Sequence, residues 1–117
     1  MTIKKDLVAA SATPLILSIL AEGDSYGYAI IKRVRQLSGG RMEWTDGMLY
    51  PVLHRLERQG LIKSFSRASE AGRLRRYYQL KNKGKKVLKE QKNQWMLTYS
   101  TLRRLWEKKL CLTRMNR

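Results

Sequence analysis

The residues able to do chemistry in this chain are few, and most of them are cations. His54 is the single histidine and Cys111 the single cysteine. No Ser, Cys, Asp or second His stands at a spacing from His54 that would build a nucleophile–base pair. One cysteine forms neither an intrachain disulfide nor a cysteine metal cluster, and it suits a reducing cytosol. The sequence offers no paired carboxylates and no phosphate-cradling glycine loop. No catalytic residue, metal site or cofactor is therefore expected, and an enzyme is the least favoured class. What stands out is charge. Lys and Arg total 25 against 9 Asp and Glu, a formal net charge of +16. Such a balance asks for a polyanionic partner, either nucleic acid or an acidic membrane surface. Arg67 and Arg73 stand on the shoulders of the short stretch ASEAG, and Arg75 follows. A purely structural hairpin would not need so many arginines on such short strands, which favours DNA over a merely solvated face.

These cations need elements to position them. Leu49, Val52, Leu53 and Leu56 recur at helical spacing and predict one buried helix face. Gly60 predicts where that helix stops. Leu61–Ser66 and Leu74–Leu80 are short apolar-aromatic runs that read as two strands. A helix followed by a basic hairpin is the layout of a winged helix: the helix suits a major groove, the hairpin suits phosphates or a minor groove. Thr45 is a fair N-cap, with Asp46 against the positive end of the helix dipole. Gly47, Met48 and Tyr50 are the early residues such a helix would carry toward base edges. Tyr50 could bond a phosphate or pack against the first helix. His54 suits phosphate contact or simple exposure, and Arg55 and Arg58 could touch backbone or pair with Glu57. Leu61, Phe65, Tyr78 and Leu80 are expected in the core. Arg76 should face away from Arg75 and could offer its head to Glu57.

Upstream, Leu7–Ala21 predicts a first helix, with a kink or break expected near Ser11–Pro14. There Thr13 could cap a new helix with Pro14 at its first position. The second half is apolar on nearly all sides, so Leu15 could face a second subunit. Ser25 is a candidate cap for a second helix with the stripe Tyr26, Ile30, Val34 and Leu37. Gly27 allows close packing or a bend. Lys32, Arg33 and Arg35 lie off that stripe and could reach a DNA backbone or form a solvated face. Met42–Trp44 could add a short strand. Trp44 could cover the base of the third helix or belong to the core.

From Asn82 to about Leu110 the chain reads as one long helix, about 40 Å in length. Leu88, Trp95, Met96, Tyr99, Leu102 and Trp106 approximate alternating steps of three and four, the period of helices packed along a seam. An apolar stripe projecting beyond a small domain must find another chain, and a symmetric dimer is the simplest closed solution. Near a two-fold seam, Trp95 and its mate, with Tyr99 close by, could form a slot for a planar aromatic ligand, or simply pack. Lys81, Lys83, Lys85, Lys86, Lys89 and Lys92 crowd the start of this helix. The expected organisation is residues 1–80 as the DNA-binding unit, 81–110 as a dimerisation helix and 111–117 as a frayed basic tail. No apolar run reaches membrane-spanning length. A signal peptide is not expected, since Asp6 follows Lys4 and Lys5 and no clear cleavage site appears. The expected location is the cytoplasm, on the nucleoid when DNA is bound, with no membrane partner.

Three blocks carry a family resemblance. LILSILAEGDSYGYAIIKRV looks like the first helix, turn and Tyr-Gly-Tyr opening of helix two in the PadR family of winged-helix transcriptional regulators. DGMLYPVLHRLERQGLI is similar to that family's recognition-helix block at Leu49, Tyr50, Pro51, Leu53, Leu56, Glu57, Gly60, Leu61 and Ile62. RRYYQLKNKG resembles its wing-to-last-helix block at Arg76, Tyr77, Tyr78, Leu80 and Gly84. The resemblance covers nearly the whole chain. It implies a mainly α fold with a small β-hairpin: a winged helix-turn-helix plus a single long C-terminal dimerisation helix, the short form. It also implies a homodimer that usually represses transcription and senses small phenolic or drug-like molecules. In some short members a tryptophan eleven residues after the equivalent of Gly84 lines an inter-subunit drug pocket, and Trp95 has that offset. Two positions depart: Met48 and Lys81 stand where the family commonly has Thr. The operator sequence therefore cannot be borrowed, and Asn82 would have to replace a lost helix cap.

Three classes follow. A dimeric repressor predicts salt-sensitive binding to a palindromic double-stranded site. A general DNA-coating protein predicts no sequence preference. An adaptor that uses the long helix on a different protein predicts a monomer.

Overall fold

The computed structural model describes the backbone of residues 3–115 and the side chains of residues 3–107. The elements run α1 (Lys5–Glu22), β1 (Ser25–Tyr26), α2 (Gly27–Leu37), α3 (Asp46–Arg58), β2 (Ile62–Ala68), β3 (Leu74–Leu80) and α4 (Asn82–Met115). The result is a mainly helical winged helix-turn-helix with a small antiparallel sheet of order β1–β3–β2. Ile16, Leu17, Ile30, Leu49, Leu53, Leu56, Ile62 and Tyr78 are fully buried where helices and sheet meet. Each such aliphatic side chain stabilises the fold by about 1.5–3 kcal/mol relative to exposure.

α1 is one unbroken helix through Pro14, against the break expected there. Pro14 has no N–H to give the carbonyl four residues back. Burial offsets the loss, with Val8 and Ala12 before it and Ile16, Leu17, Ile19 and Leu20 after it. Thr13 caps nothing; its hydroxyl accepts from Arg55 Nη2 at 2.8 Å.

β1 is also a departure from expectation. Ser25 and Tyr26 pair with Tyr78 and Tyr77 at the free edge of β3. Ser25 is thereby a strand residue rather than a helix cap, and α2 begins at Gly27 without a side-chain cap. Met42–Trp44 forms no strand, and Trp44 is a core residue, only 5% exposed. Tyr26 lies in β1 and Leu37 is exposed, so Ile30, Ile31 and Val34 are what α2 buries.

Thr45 caps α3 as expected, its hydroxyl accepting from Met48 N–H at 3.3 Å. Gly60 closes α3 with φ of 75°, a left-handed turn that favours glycine. The hairpin pairs from Ile62↔Leu80 to Ala68↔Leu74. Ser69 N–H donates to the Arg73 carbonyl at 2.7 Å across its tip. Phe65 is only half-buried, on the outer face of the sheet rather than in the core.

β3 leads almost directly into α4. Lys81 N–H donates to the Leu61 carbonyl at 3.0 Å, and the Lys81 carbonyl accepts from Lys85 N–H at 3.0 Å. Asn82 is thus the first residue inside the helix rather than its cap. Gly84 is required here: a Cβ on it would collide with the Leu61 carbonyl. α4 runs on as helix to Met115, past the point where fraying was expected, and the molecule measures 66 × 30 × 22 Å.

Candidate nucleic-acid interface

α3 is anchored on three sides. On the α1 side, Arg55 donates to Thr13. At its C-terminal end, Lys83 Nζ from α4 donates to the Gln59 carbonyl at 2.9 Å, which also complements the helix dipole. On the wing side, the Glu57 carboxylate accepts from Ser64 N–H at 3.1 Å and from the Ser64 hydroxyl. Arg76 Nη2 completes that cluster, 2.8 Å from Ser64 Oγ and 3.6 Å from Glu57 Oε1. The expected Arg76–Glu57 pairing is therefore present, and it ties the helix to the wing.

With 3.6 residues per turn, Gly47, Pro51, His54 and Arg58 fall opposite Leu49, Leu53 and Leu56. All four are exposed. Their neighbours lean aside. Tyr50 packs over the start of α2, where a Cβ on Gly27 would lie 2.6 Å from its hydroxyl; Gly27 thus serves close approach rather than a bend. Met48 leans toward α1 and Trp44. Thr45 is occupied by its capping bond and Arg55 by Thr13. Lys32 is exposed on α2.

The outer sheet face is a ladder of rings and guanidinium groups. Tyr77 stacks with Phe65 at 6.0 Å between centroids and tilts against Tyr26 at 5.2 Å. The Arg67 guanidinium lies 4.6 Å from the Tyr77 ring centre and 5.2 Å from that of Phe65. The Arg75 guanidinium lies 4.5 Å from the Tyr26 ring centre. Arg67 and Arg75 are direct cross-strand partners, a like-charge pairing that would be unfavourable alone. The rings offset it by cation–π attraction, and Asp24 takes Arg67 into an ion pair at 3.4 Å. Asp24 also accepts from Gln79 Nε2 at 3.3 Å. Arg73 and Arg75 have no carboxylate partner among the described residues. Tyr26 and Asp24 were not anticipated as wing residues. Their only signal was an aromatic and an acid just before α2, because β1 pairs across some fifty residues of sequence.

The residues expected at a dimer seam divide. Leu88 is buried in the subunit's own core, only 5% exposed, and is corrected to a core residue. The stripe period continues unchanged from the part of α4 that packs on its own domain into the part that does not. Leu15 is half-buried. Trp95, Met96, Tyr99, Leu102 and Trp106 are exposed together with Leu97 and Leu105. No helix among the described residues is long and apolar enough to cross a membrane.

Helix, turn, recognition helix and basic wing define a winged helix-turn-helix of the DNA-binding class. The model of the transcriptional regulator PadR-like family matches residues 16–90. A transcriptional regulator from Clostridium thermocellum is 34% identical, with a TM-score of 0.79 over 88% of this chain and 97% of that one. An uncharacterised protein from Lysinibacillus sphaericus is 27% identical over 93 residues, which are 80% of this chain and 85% of that protein. The transcriptional regulator YqjI of Escherichia coli is 42% identical over 48 residues, 41% of this chain but only 23% of that protein. The chain belongs to the PadR-like family of transcriptional regulators, and so is a DNA-binding regulator and not an enzyme.

Proposed function

We propose that the protein is a homodimeric, sequence-specific repressor that binds a palindromic operator and responds to a small aromatic effector. One observation supports this reading above all: a winged helix with free cations is joined, through β3, to a helix whose far half carries an exposed apolar stripe. Two copies joined along α4 would present two α3 helices about one DNA turn apart, ~34 Å. Gly47, His54 and Arg58 would face base edges and phosphates; Met48, Tyr50 and Thr45 would shape the rim of that surface. Arg73, Arg75 and Lys32 would neutralise phosphates, with Arg67 and Arg55 available once freed from Asp24 and Thr13. Leu15, Met96, Leu102 and Trp106 would form the seam. Trp95 and Tyr99 beside the two-fold axis would stack on a planar aromatic or phenolic molecule, which would change the spacing of the two readers.

The test is a fluorescence-anisotropy titration on DNA from upstream of the gene and on shuffled DNA of equal length, at several salt concentrations. Specific affinity at least about a thousandfold above the shuffled sequence is expected. Binding that falls steeply with salt is expected as well. Equal affinity for both sequences would make the protein a DNA coat instead.

A further inference from the structure

The wing continues past the core that it closes. Along its inner face Ile62 pairs with Leu80 and Ser64 with Tyr78, then Ser66 with Arg76 and Ala68 with Leu74. Ile62 and Tyr78 are buried, and Ser64 and Arg76 meet Glu57 of α3. Leu74 continues that face by strand alternation, about 13 Å beyond Tyr78. Nothing covers it there: it is 76% exposed, the most exposed large hydrophobic side chain among the described residues. A lone exposed leucine means little by itself; its surroundings give it meaning. It stands between Arg73 and Arg75, neither of which has a carboxylate partner among the described residues. Its neighbours on the same face, Ser66 and Ala68, are small and exposed. The nearby acids are occupied or lie on the other side. Ser64 holds Glu57 and Arg67 holds Asp24. Glu70, at the tip, lines a pocket with Tyr26, Tyr77 and Arg75 of the outer face.

We propose that Leu74 is an apolar wedge that enters the minor groove of double-stranded DNA and parts a base step, with Arg73 and Arg75 on the flanking phosphates. Apolar side chains act in this way where a basic element holds them against the groove. The minor groove is only about 6 Å wide, and the small Ser66 and Ala68 leave the wing slim beside Leu74. The sheet face that carries Leu74 is the one that meets α3, so wedge and recognition helix belong to one side of the molecule. The ties from Ser64 and Arg76 to Glu57 brace the wing while it opens the stack. Pyrimidine–purine steps part most easily, so Leu74 selects them at a position that no hydrogen bond reads. A second copy's α4 is the poorer partner by charge. Its apolar stripe is interrupted by Arg103 and Arg104, which would meet Arg73 and Arg75 as like charges. The wedge rests on the DNA-binding reading above and deepens it; it requires neither a palindromic operator nor an effector.

The test uses duplexes that the full-length protein retains from a random-sequence pool. They are treated with permanganate while bound, which oxidises thymines that have lost their stacking. With the wild type, thymines at TA or TG steps should react at least about fivefold faster than in free DNA. In Leu74→Ala, a change at an exposed position that should leave the melting temperature unaltered, this enhancement should disappear. Affinity should fall by no more than about tenfold, because the phosphate contacts that supply most of it remain. Leu74→Met, a different wedge, should restore the enhancement. If the retained duplexes share no sequence, the specific-operator reading fails, while the enhancement and its loss in Leu74→Ala should persist. Bound wild-type complexes without enhancement would overturn the wedge. So would an enhancement that survives in Leu74→Ala, or one lost in Leu74→Met as well. A Leu74→Ala variant whose sedimentation shifts toward monomer would overturn it too, by assigning Leu74 to a contact between copies.

Discussion

The two halves of α4 have the same apolar period and opposite fates. From Asn82 to Gln91 the helix completes a core: Gly84 and Leu88 are buried, Val87 and Gln91 half-buried. From Lys92 to Glu107 every residue is exposed, including two tryptophans and a tyrosine. A contiguous apolar patch of that kind marks an interaction surface. On the homodimer reading proposed above, one helix would serve two assemblies, the subunit's own fold and the dimer. Substitutions in the two halves should act on different equilibria.

Leu88→Ala should give the largest effect. It removes a buried side chain at the α1–α4 contact and should cost about 2–5 kcal/mol of unfolding free energy, read by urea denaturation at fixed protein concentration. Leu102→Ser with Trp106→Ser should leave the wing and α3 folded and shift sedimentation from dimer toward monomer. If the Leu88 variant dissociated the dimer without lowering stability, and the double variant unfolded the subunit, the division drawn within α4 would be wrong.

The same comparison shows what could be read from the chain. α3 was legible because its buried leucines, its Thr45 cap and its Gly60 stop all lie within sixteen residues. The hairpin was legible for the same reason. Leu88 was misplaced because periodicity reports a face and not what covers it. β1 was missed because two residues carry no period; only the edge of β3 makes them a strand. The Arg55–Thr13 bond spans 42 residues of sequence, and no local pattern announces it. For the interface, residue types indicated cations, while pairing alone shows which of them are free.

That last distinction separates Arg67 from Arg75, two arginines on one sheet face. Arg75 has a ring beneath it and no carboxylate; Arg67 has rings and Asp24. Arg75→Ala should weaken binding to all DNA sequences and lower the slope of log affinity against log salt by about one. Asp24→Asn should move the other way, tightening non-specific binding and raising the slope by about one, because it frees Arg67. Since Asp24 also holds Gln79, its variant should be checked for an unchanged melting temperature. A weaker-binding Asp24→Asn with an intact fold would show that the ion pair positions the wing rather than masks it.

The smallest effect concerns the inner face of the same sheet. Tyr78 is fully buried, and burial raises its phenol pKa above the ordinary tyrosine value. A group whose pKa is higher folded than unfolded favours the fold fully below the unfolded value, near 10. That contribution is lost as pH rises through the folded value. Absorbance titration at alkaline pH should therefore show a late-ionising tyrosine step coincident with unfolding. The late step should vanish in Tyr78→Phe, which should also hold its structure to higher pH. Its stability at neutral pH should change by less than about 1 kcal/mol, because the hydroxyl that Phe lacks is buried without a hydrogen-bond partner and contributes little to the fold. A large loss at neutral pH would mean instead that the hydroxyl bonds to Arg76, and the core and the outer ladder would then be coupled through β3.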